Sequence, residues 1–329
     1  MSNEIQKKEF NDLVSIIEEA RANALKAVNK ELILMYWKVG EYLHHLTLNS
    51  SFGDNVIEDV AKFIKENNPT LKGFSKRGLY KMKQFYTTYS NDGIVPTLLA
   101  QLNWTSHMLI ISGSKSKEER LFYLMLAINE KYSYRELERQ MDCAYYERYM
   151  LSTSYKVPKP ISKDIHSSIL DTYVLDFLDL PKHFNENDLR KEIVSNLKDF
   201  ILELGKDFTF VGEEYKIEVG GQDFYIDLLF YHRKLMCLIP IELKNGRFKP
   251  EYIGQINFYL EALDRDVKKE YENPSVGLLL CTSKNDTVVE YVLSRSMSQL
   301  MVANYTLELP NKKVLENRLK EITSIAFKK

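Results

Sequence analysis

The sequence predicts a two-domain α+β protein, in which an all-α N-terminal domain precedes a domain built on a mixed central sheet. Residues 1–150 carry apolar side chains at helical spacing, whereas several segments after residue 205 alternate with a period of two. Helical segments separate the later strand candidates, which is the element order of an α/β sandwich. Because the segment 152–162 has two prolines and no helical period, we place the domains at 1–151 and 166–329, with a linker at 152–165.

The composition is that of an ordinary globular protein. The chain has 329 residues, of which 44% are hydrophobic and 28% charged, and its net charge of −1 gives no overall attraction to nucleic acid. Its three cysteines lie far apart without a CxxC spacing, which is typical of a reduced cytosolic protein. The N-terminus is polar, and no apolar stretch reaches the roughly 18 residues of a membrane span. We therefore expect a cytoplasmic protein that has no membrane partner.

The N-terminal half is predicted to be a series of helices. From Leu13 onward, apolar residues at i, i+3, i+4 and i+7 indicate a long amphipathic helix. Ser75 is a candidate N-cap for a helix with Leu79 and Met82 on its apolar stripe, and Ser133 opens a capping-box sequence. Further helices are expected over 53–68, 94–112 and 116–129.

The second half changes from helices to strands and back. Helices are expected over 166–180 and 185–205, and the second of them should end at Gly205. Four strand candidates follow, joined by turns at 212–213, 220–221 and 232–233. The four strands are expected over 207–212, 215–220, 223–231 and 235–244, and after them come a helix over 250–267, a strand over 275–282, a helix over 287–298, a strand over 302–309 and a final basic helix.

Three charged residues interrupt two of the apolar strand candidates. Residues two apart in a strand share a face and lie about 6.6 Å apart, so Glu242 and Lys244 point the same way. A hairpin about 232–234 would pair Asp227, on the preceding strand, near residue 239. A bulge must then bring the two acids together, and Pro240, which cannot donate to the ladder, is a natural place for it.

Two carboxylates and a lysine at one sheet edge have a definite chemical use. Mg²⁺ binds one or two carboxylates together with waters and substrate phosphate. The ion lowers the pKa of a bound water and stabilises charge on phosphoryl oxygens. A Glu-x-Lys triplet alone is more often a surface ion pair of little energetic consequence. Here the apolar surroundings and the acid one hairpin earlier favour a site that hydrolyses phosphodiesters.

These residues resemble a known signature. Asp227 followed by Glu242-Leu243-Lys244 is similar to the D…(D/E)xK pattern of the PD-(D/E)XK nuclease superfamily. Longer strings resemble the narrower YhcG-like nucleases of bacteria. The resemblance spans nearly the whole chain and implies a restriction-endonuclease-like α/β/α fold for 166–329. The strings that carry it are GFSKRGLYKMKQFY, LNWTSHM and YSYRELERQMD in the first half, and FILELGKDFTFVG, DFYIDLLFYHRKL, IELKNGRFKPEYIGQINFYL and VGLLLC in the second.

The resemblance implies roles for the signature residues. Asp227 and Glu242 would be the metal carboxylates, and the main-chain carbonyl of Leu243 would be a third ligand. Lys244 would be the catalytic lysine. The cofactor implied is Mg²⁺, for which Mn²⁺ should substitute.

Two further elements come from the same resemblance. Glu203, on the helix before the sheet, matches the acid that the superfamily often supplies from its first core helix. Gln255 and Tyr259 lie on one helical face and resemble a QxxxY element that helps to hold the site; the alternative is a half-buried polar helix face. One departure is the pair of glutamates at 213–214, where relatives tend to carry Arg-Gln. Glutamates there would weaken any contact with a nucleic-acid backbone.

Basic residues indicate where nucleic acid would bind. A helix capped at Ser75 could enter a groove in the manner of a helix-turn-helix, although a solvated basic face is the alternative. Basic residues on the loop after Lys244 are well placed to hold phosphates. The candidates are Lys76, Arg77 and Lys83 on the helix, and Arg247 and Lys249 on the loop.

Together these features predict an Mg²⁺-dependent nuclease acting on DNA, with double-stranded DNA as its partner and endonucleolytic cleavage favoured over exonucleolytic. A homodimer would suit cleavage of both strands. The rival hypothesis is a non-catalytic nucleic-acid-binding or assembly module that retains the nuclease fold. A third treats the helical half as an oligomerisation arm. The choice between DNA and RNA stays open at this point.

Overall fold

A computed structural model describes residues 2–48, 55–154, 165, 168–294, 296 and 298–326. The chain forms two compact units, Met1–Glu138 and Arg139–Lys329. Most of the linker predicted at 152–165 lies outside the described residues. Within the part of the chain that is described, no helix is long and apolar enough to cross a membrane.

The first unit is helical, as predicted. Side-chain oxygens of Ser75, Asn103 and Ser116 accept hydrogen bonds from backbone N–H groups and cap three of its helices. The single helix expected over 94–112 is two helices, with a break at 100–103. The helices are α1 (Ser2–Leu48), α2 (Val56–Asn67), α3 (Lys76–Asp92), α4 (Pro96–Leu99), α5 (Trp104–Gly113) and α6 (Lys117–Asn129), and α7 (Tyr134–Asp142) begins in this unit.

Helices α1 and α3 pack closely in the first unit. A side chain at Gly40 would place its Cβ 2.1 Å from the backbone oxygen of Met82. Only glycine therefore allows this approach. The same contact buries Leu43, Ile57 and Leu79. The apolar faces of α1 and α3 therefore pack into one shared core.

The second unit contains a six-stranded mixed sheet in the order β1-β6-β5-β4-β3-β2. Strands β2, β3 and β4 are antiparallel neighbours, whereas β4, β5, β6 and β1 are parallel. The mixed sheet that the sequence predicted is confirmed. The strands are β1 (Thr172–Val174), β2 (Phe208–Val219), β3 (Gln222–His232), β4 (Cys237–Arg247), β5 (Gly277–Ser283) and β6 (Leu300–Thr306).

Helices cover both faces of this sheet. Among the described residues of the unit, the α-helices are α8 (Tyr145–Ser154), α9 (Glu186–Ser195), α10 (Leu197–Leu204), α11 (Tyr252–Ala262), α12 (Asp286–Leu293) and α13 (Lys312–Ala326). Apolar residues of α9 and α10, such as Leu189 and Phe200, pack with Ile241 of β4 on one face. Ile256 of α11 packs with Leu279 of β5 on the other face. The α/β/α layering is thereby confirmed.

Several predicted elements differ from the structure. The first two strand candidates form one continuous strand, β2, with a bulge between Phe210 and Gly212 instead of a turn. The segment 166–180, which was expected to be a helix, instead contains strand β1, which pairs with β6. The helix expected over 185–205 breaks at Asn196 into α9 and α10. Helix α8, which the sequence placed in the first domain, lies in the second compact unit.

Candidate active site

The register of β3 and β4 places the two signature acids side by side. The strands pair from His232↔Cys237 to Leu228↔Ile241 without a shift, across a four-residue turn at 233–236. One further step of this register sets Asp227 directly opposite Glu242. The bulge expected at Pro240 is absent from the described pairing, so that prediction was wrong. The turn is longer than the sequence suggested, and the extra length brings the acids together directly.

Glu242 is buried and Asp227 is half-buried, and the two carboxylates are close enough for the charge of Asp227 to act on Glu242. Asp227 Oδ2 accepts a hydrogen bond from the Leu243 N–H at 2.9 Å, and Glu242 Oε1 accepts one from Lys244 Nζ at 2.8 Å. Glu242 Oε2 is buried and has no hydrogen-bond partner among the described residues. Burial, together with the charge of Asp227, raises the pKa of Glu242 to about 7, and burial also raises the pKa of Asp227.

Lys244 is the cation of this cluster. Its Nζ donates to Glu242 and, at 3.2 Å, to Glu186, and it lies 5.4 Å from the ring centroid of Tyr252. Burial alone would lower the pKa of Lys244, but the hydrogen bond and charge of Glu242, followed by the charge of Glu186, raise it above its ordinary value. Lys244 is therefore an ammonium group held against carboxylates.

Two residues that the sequence analysis missed complete the cluster. Glu186 begins α9, whose N-cap is Asn185, and Arg190 follows one turn later. Arg190 pairs with Glu214 at 2.8 Å, and its other terminal nitrogen lies 3.8 Å from Asp227. An acid in the first turn of a helix is already explained by the helix dipole, so Glu186 carried no separate signal. Arg190 lies four residues further on the same helix, and no local sequence pattern distinguishes it from a surface arginine.

The acids form a row across three strands. Glu213 pairs with Leu228 and Tyr215 with Ile226, so Glu214 lies opposite Asp227, which in turn lies opposite Glu242. Like charges directly opposite one another are destabilising. The charges of Arg190 and Lys244, which lie beside these carboxylates, oppose this repulsion.

The donor set fits a hard divalent cation. Among the described residues, no group of three or more His, Cys, Asp or Glu side chains is arranged as a complete metal site. The cluster does offer carboxylate oxygens of Asp227 and Glu242, including the buried Glu242 Oε2 that lacks a partner. Two carboxylates suffice for Mg²⁺, which keeps waters and takes substrate phosphate as further ligands.

Glu203 lies outside this cluster, which differs from the role expected for it. Its carboxylate pairs with Arg148 and accepts a hydrogen bond from the Val174 N–H at 2.7 Å. Val174 belongs to β1, three strands from β4 in the sheet, or roughly 14 Å at ordinary strand spacing. The helical acid that reaches the signature residues is Glu186.

Gln255 and Tyr259 support the site from α11. Gln255 Nε2 donates to the Tyr259 hydroxyl at 2.9 Å, and that hydroxyl donates to the Tyr225 carbonyl at 2.8 Å. Tyr225 lies two residues before Asp227 on β3. The pair therefore fixes the backbone beside the acid.

The predicted nucleic-acid-binding residues lie in both units. On α3, Lys76 forms an exposed ion pair with Glu58 at 2.5 Å, Arg77 is exposed, and Lys83 is half-buried. In the second unit, Arg247 is the last residue of β4, not a loop residue as expected, and Lys249 follows in the loop before α11. Both side chains are exposed.

Comparison with known proteins identifies the family of these two units. Residues 166–320 match the family described as YhcG PDDEXK nuclease domain, and residues 12–148 match the family described as DUF1016 N-terminal domain. Residues 166–320 therefore carry the YhcG PDDEXK nuclease domain, and residues 12–148 carry the DUF1016 N-terminal domain. The chain is 28% identical to a protein named Putative nuclease YhcG from Escherichia coli (strain K12), over 93% of this chain and 92% of that protein.

The chain also has a distant likeness among solved structures. It matches the crystal structure of a repair endonuclease from Pyrococcus abyssi with a TM-score of 0.26 and 18% identity. That match covers 40% of this chain and 50% of the solved chain.

Proposed function

We propose that this protein hydrolyses phosphodiester bonds of DNA in a Mg²⁺-dependent reaction and cuts within the duplex. The observation that carries the proposal is the buried Glu242 Oε2, which has no partner among the described residues although it lies beside a second acid. An unpaired buried carboxylate oxygen is costly. A divalent cation held by Asp227 and Glu242 would remove that cost.

The residues around the acid pair have distinct roles in this proposal. Asp227, Glu242 and the main-chain carbonyl of Leu243 would hold the cation, with Mn²⁺ able to replace Mg²⁺. When bound, such a cation activates water and stabilises charge on phosphoryl oxygens. Lys244 remains charged and donates hydrogen bonds towards the attacking water or the phosphoryl group.

Neighbouring residues position this cluster. Glu186, and not Glu203, is the helical acid of the site in this proposal, because it accepts a hydrogen bond from Lys244. Gln255 fixes the β3 backbone through Tyr259. These groups keep the lysine and the acids in place when the substrate enters.

Double-stranded DNA is the substrate that we propose. Arg247 and Lys249 are exposed at the end of β4 and can contact phosphates near the cut. In the helical unit, Lys76, Arg77 and Lys83 on α3 would contact the duplex elsewhere.

The proposal includes the cellular and oligomeric state. The described cysteines are free and buried, which supports a cytoplasmic location. A homodimer supplies two active sites for the two strands, and light scattering of the purified chain tests it against a monomer.

Incubation with a supercoiled plasmid tests the function. A circle has no ends, so conversion to nicked or linear forms in Mg²⁺ or Mn²⁺, and not in EDTA, indicates an endonuclease. Lys244→Ala should lose the activity. Linear duplex, single-stranded DNA and RNA in parallel reactions identify the substrate. Binding of DNA with no cleavage under any of these conditions would favour the non-catalytic module instead.

A further inference from the structure

The guanidinium of Arg190 uses only part of its hydrogen-bonding capacity within the cluster. Its side chain is 11% exposed, and its Nε is buried without a partner among the described residues. One terminal nitrogen pairs with Glu214 at 2.8 Å and bonds Asn187 Oδ1 at 2.6 Å. The other lies 3.8 Å from Asp227, which is too long for a hydrogen bond.

Glu214 is the replaceable partner of Arg190. Its side chain is 58% exposed, so the ion pair is partly screened by water. Its backbone has φ 42°, the left-handed region that non-glycine residues adopt at a cost. By contrast, Lys244 is held by two carboxylates, Glu242 and Glu186. Arg190 is thus the cation of the cluster that a new anion reaches most easily.

We propose that Arg190 binds a backbone phosphate of the nucleic acid beside the Asp227–Glu242 pair, and that Glu214 holds the guanidinium until this phosphate replaces it. The inference rests on the proposed function and adds a residue for substrate binding to it. A guanidinium fork matches a phosphate as well as a carboxylate. When a phosphate replaces Glu214, Arg190 keeps a charge-assisted hydrogen bond, and the exposed carboxylate of Glu214 is hydrated instead.

The test compares two charge-removing variants one residue apart. Glu214→Gln removes the partner of Arg190, whereas Glu213→Gln removes the same charge from the neighbouring exposed residue. Binding of a fluorescently labelled DNA duplex in EDTA is followed by anisotropy. Glu214→Gln should bind about two- to fivefold more tightly than the parent, the range expected for an exposed ion pair. Glu213→Gln should change binding less.

A second variant shows whether the gain passes through Arg190. Arg190→Lys keeps the charge but loses the fork, so it should weaken binding and cancel the gain when combined with Glu214→Gln. Equal gains in both glutamate variants, or a gain that survives Arg190→Lys, would overturn the inference. So would a Glu214→Gln protein that binds no duplex.

Cleavage is measured separately with Mg²⁺ or Mn²⁺. Glu214→Gln should lower KM and leave kcat unchanged, since Glu214 leaves Arg190 when substrate binds. If the parent cleaves but the two glutamate variants behave alike, only the inference fails. If Glu214→Gln tightens binding through Arg190 while the parent cleaves nothing, only the proposed catalytic function fails.

Discussion

The guanidinium of Arg148 lies 2.5 Å from the carboxylate of Glu203, and both side chains are almost completely buried in the second unit. Arg148 also donates to the carbonyls of Cys143 and Thr172. Burial would lower the pKa of Arg148, but the charge of Glu203 and their hydrogen bond raise it. The pair therefore joins α8, α10 and β1 as a permanently charged link within the unit.

Glu203→Ala should destabilise the second unit without removing catalytic chemistry. The change leaves the Arg148 charge buried and unpaired, which costs about 3–5 kcal/mol. Urea unfolding followed by far-UV circular dichroism measures the loss. The double variant Glu203→Met/Arg148→Met should recover part of it, because apolar residues replace both charges, although the Val174 N–H and the Cys143 and Thr172 carbonyls lose their partners. A Glu203 variant that has parental stability but does not cleave would contradict this prediction and indicate that Glu203 acts in the active site.

Asp227→Asn should abolish cleavage and leave the fold at least as stable. The substitution removes a carboxylate from the proposed metal site, for which a loss of at least about 100-fold is expected. It also relieves the repulsion with Glu242, so the Tm without metal should stay equal or rise. Asp223→Asn is the matched control, since Asp223 is an exposed acid on the same strand. Parental cleavage by Asp227→Asn would exclude the site.

Mg²⁺ should raise the Tm of the parent by binding the folded protein. Because the acid pair would bind the ion, Glu242→Gln should lose most of the shift, whereas Asp223→Asn should keep it. Thermal shift in a Mg²⁺ titration, with Ca²⁺ in a parallel series, measures this without any cleavage. An equal shift in Glu242→Gln would place the ion elsewhere.

The first unit should lose stability in mild acid through His107. This ring is fully buried between the Tyr89 hydroxyl and the Leu99 carbonyl, and burial lowers its pKa to about 4. Because the unfolded chain takes up a proton near pH 6.5 and the folded protein does not, stability falls as the pH drops from 6.5 towards 4, by up to about 3 kcal/mol.

The two tryptophans, Trp37 and Trp104, lie in the first unit, so their fluorescence follows the unfolding of that unit in urea. The midpoint should fall with pH in the parent and in His45→Gln, which changes an exposed histidine of the same unit. His107→Gln should flatten the dependence. A dependence that persists in His107→Gln would assign it to other groups.

The signature residues could be predicted from sequence because strand periodicity is short and regular. Charges at Asp227, Glu242 and Lys244 stand out against apolar neighbours on both strands. Their pairing could not be predicted, since the residues at 233–236 contain no Asn-Gly or Asp-Gly signal that would define a turn length. Register depends on turn length, and the expected pairing was therefore in error.

Other parts of the site lacked a local signal. Strand β1 has three residues, and its surroundings repeat with a helical period, so tertiary pairing with β6 decides its conformation. Glu203 matches the family's helical acid only by its position on the helix before the sheet. Its buried pairing with Arg148 depends on α8, which is distant in sequence. Glu186 and Arg190 join the site only because α9 packs beside β4.

The turn at 233–236 also restricts which insertions and deletions this protein can tolerate in evolution. A one-residue insertion or deletion there, if the turn kept its length of four residues and the register of β4 shifted instead, would rotate Glu242 and Lys244 to the face where Ile241 and Leu243 now pack. Two charges would enter the apolar core, and two aliphatic side chains would meet the substrate. A register shift of one residue would therefore remove the candidate site and destabilise the core in a single event.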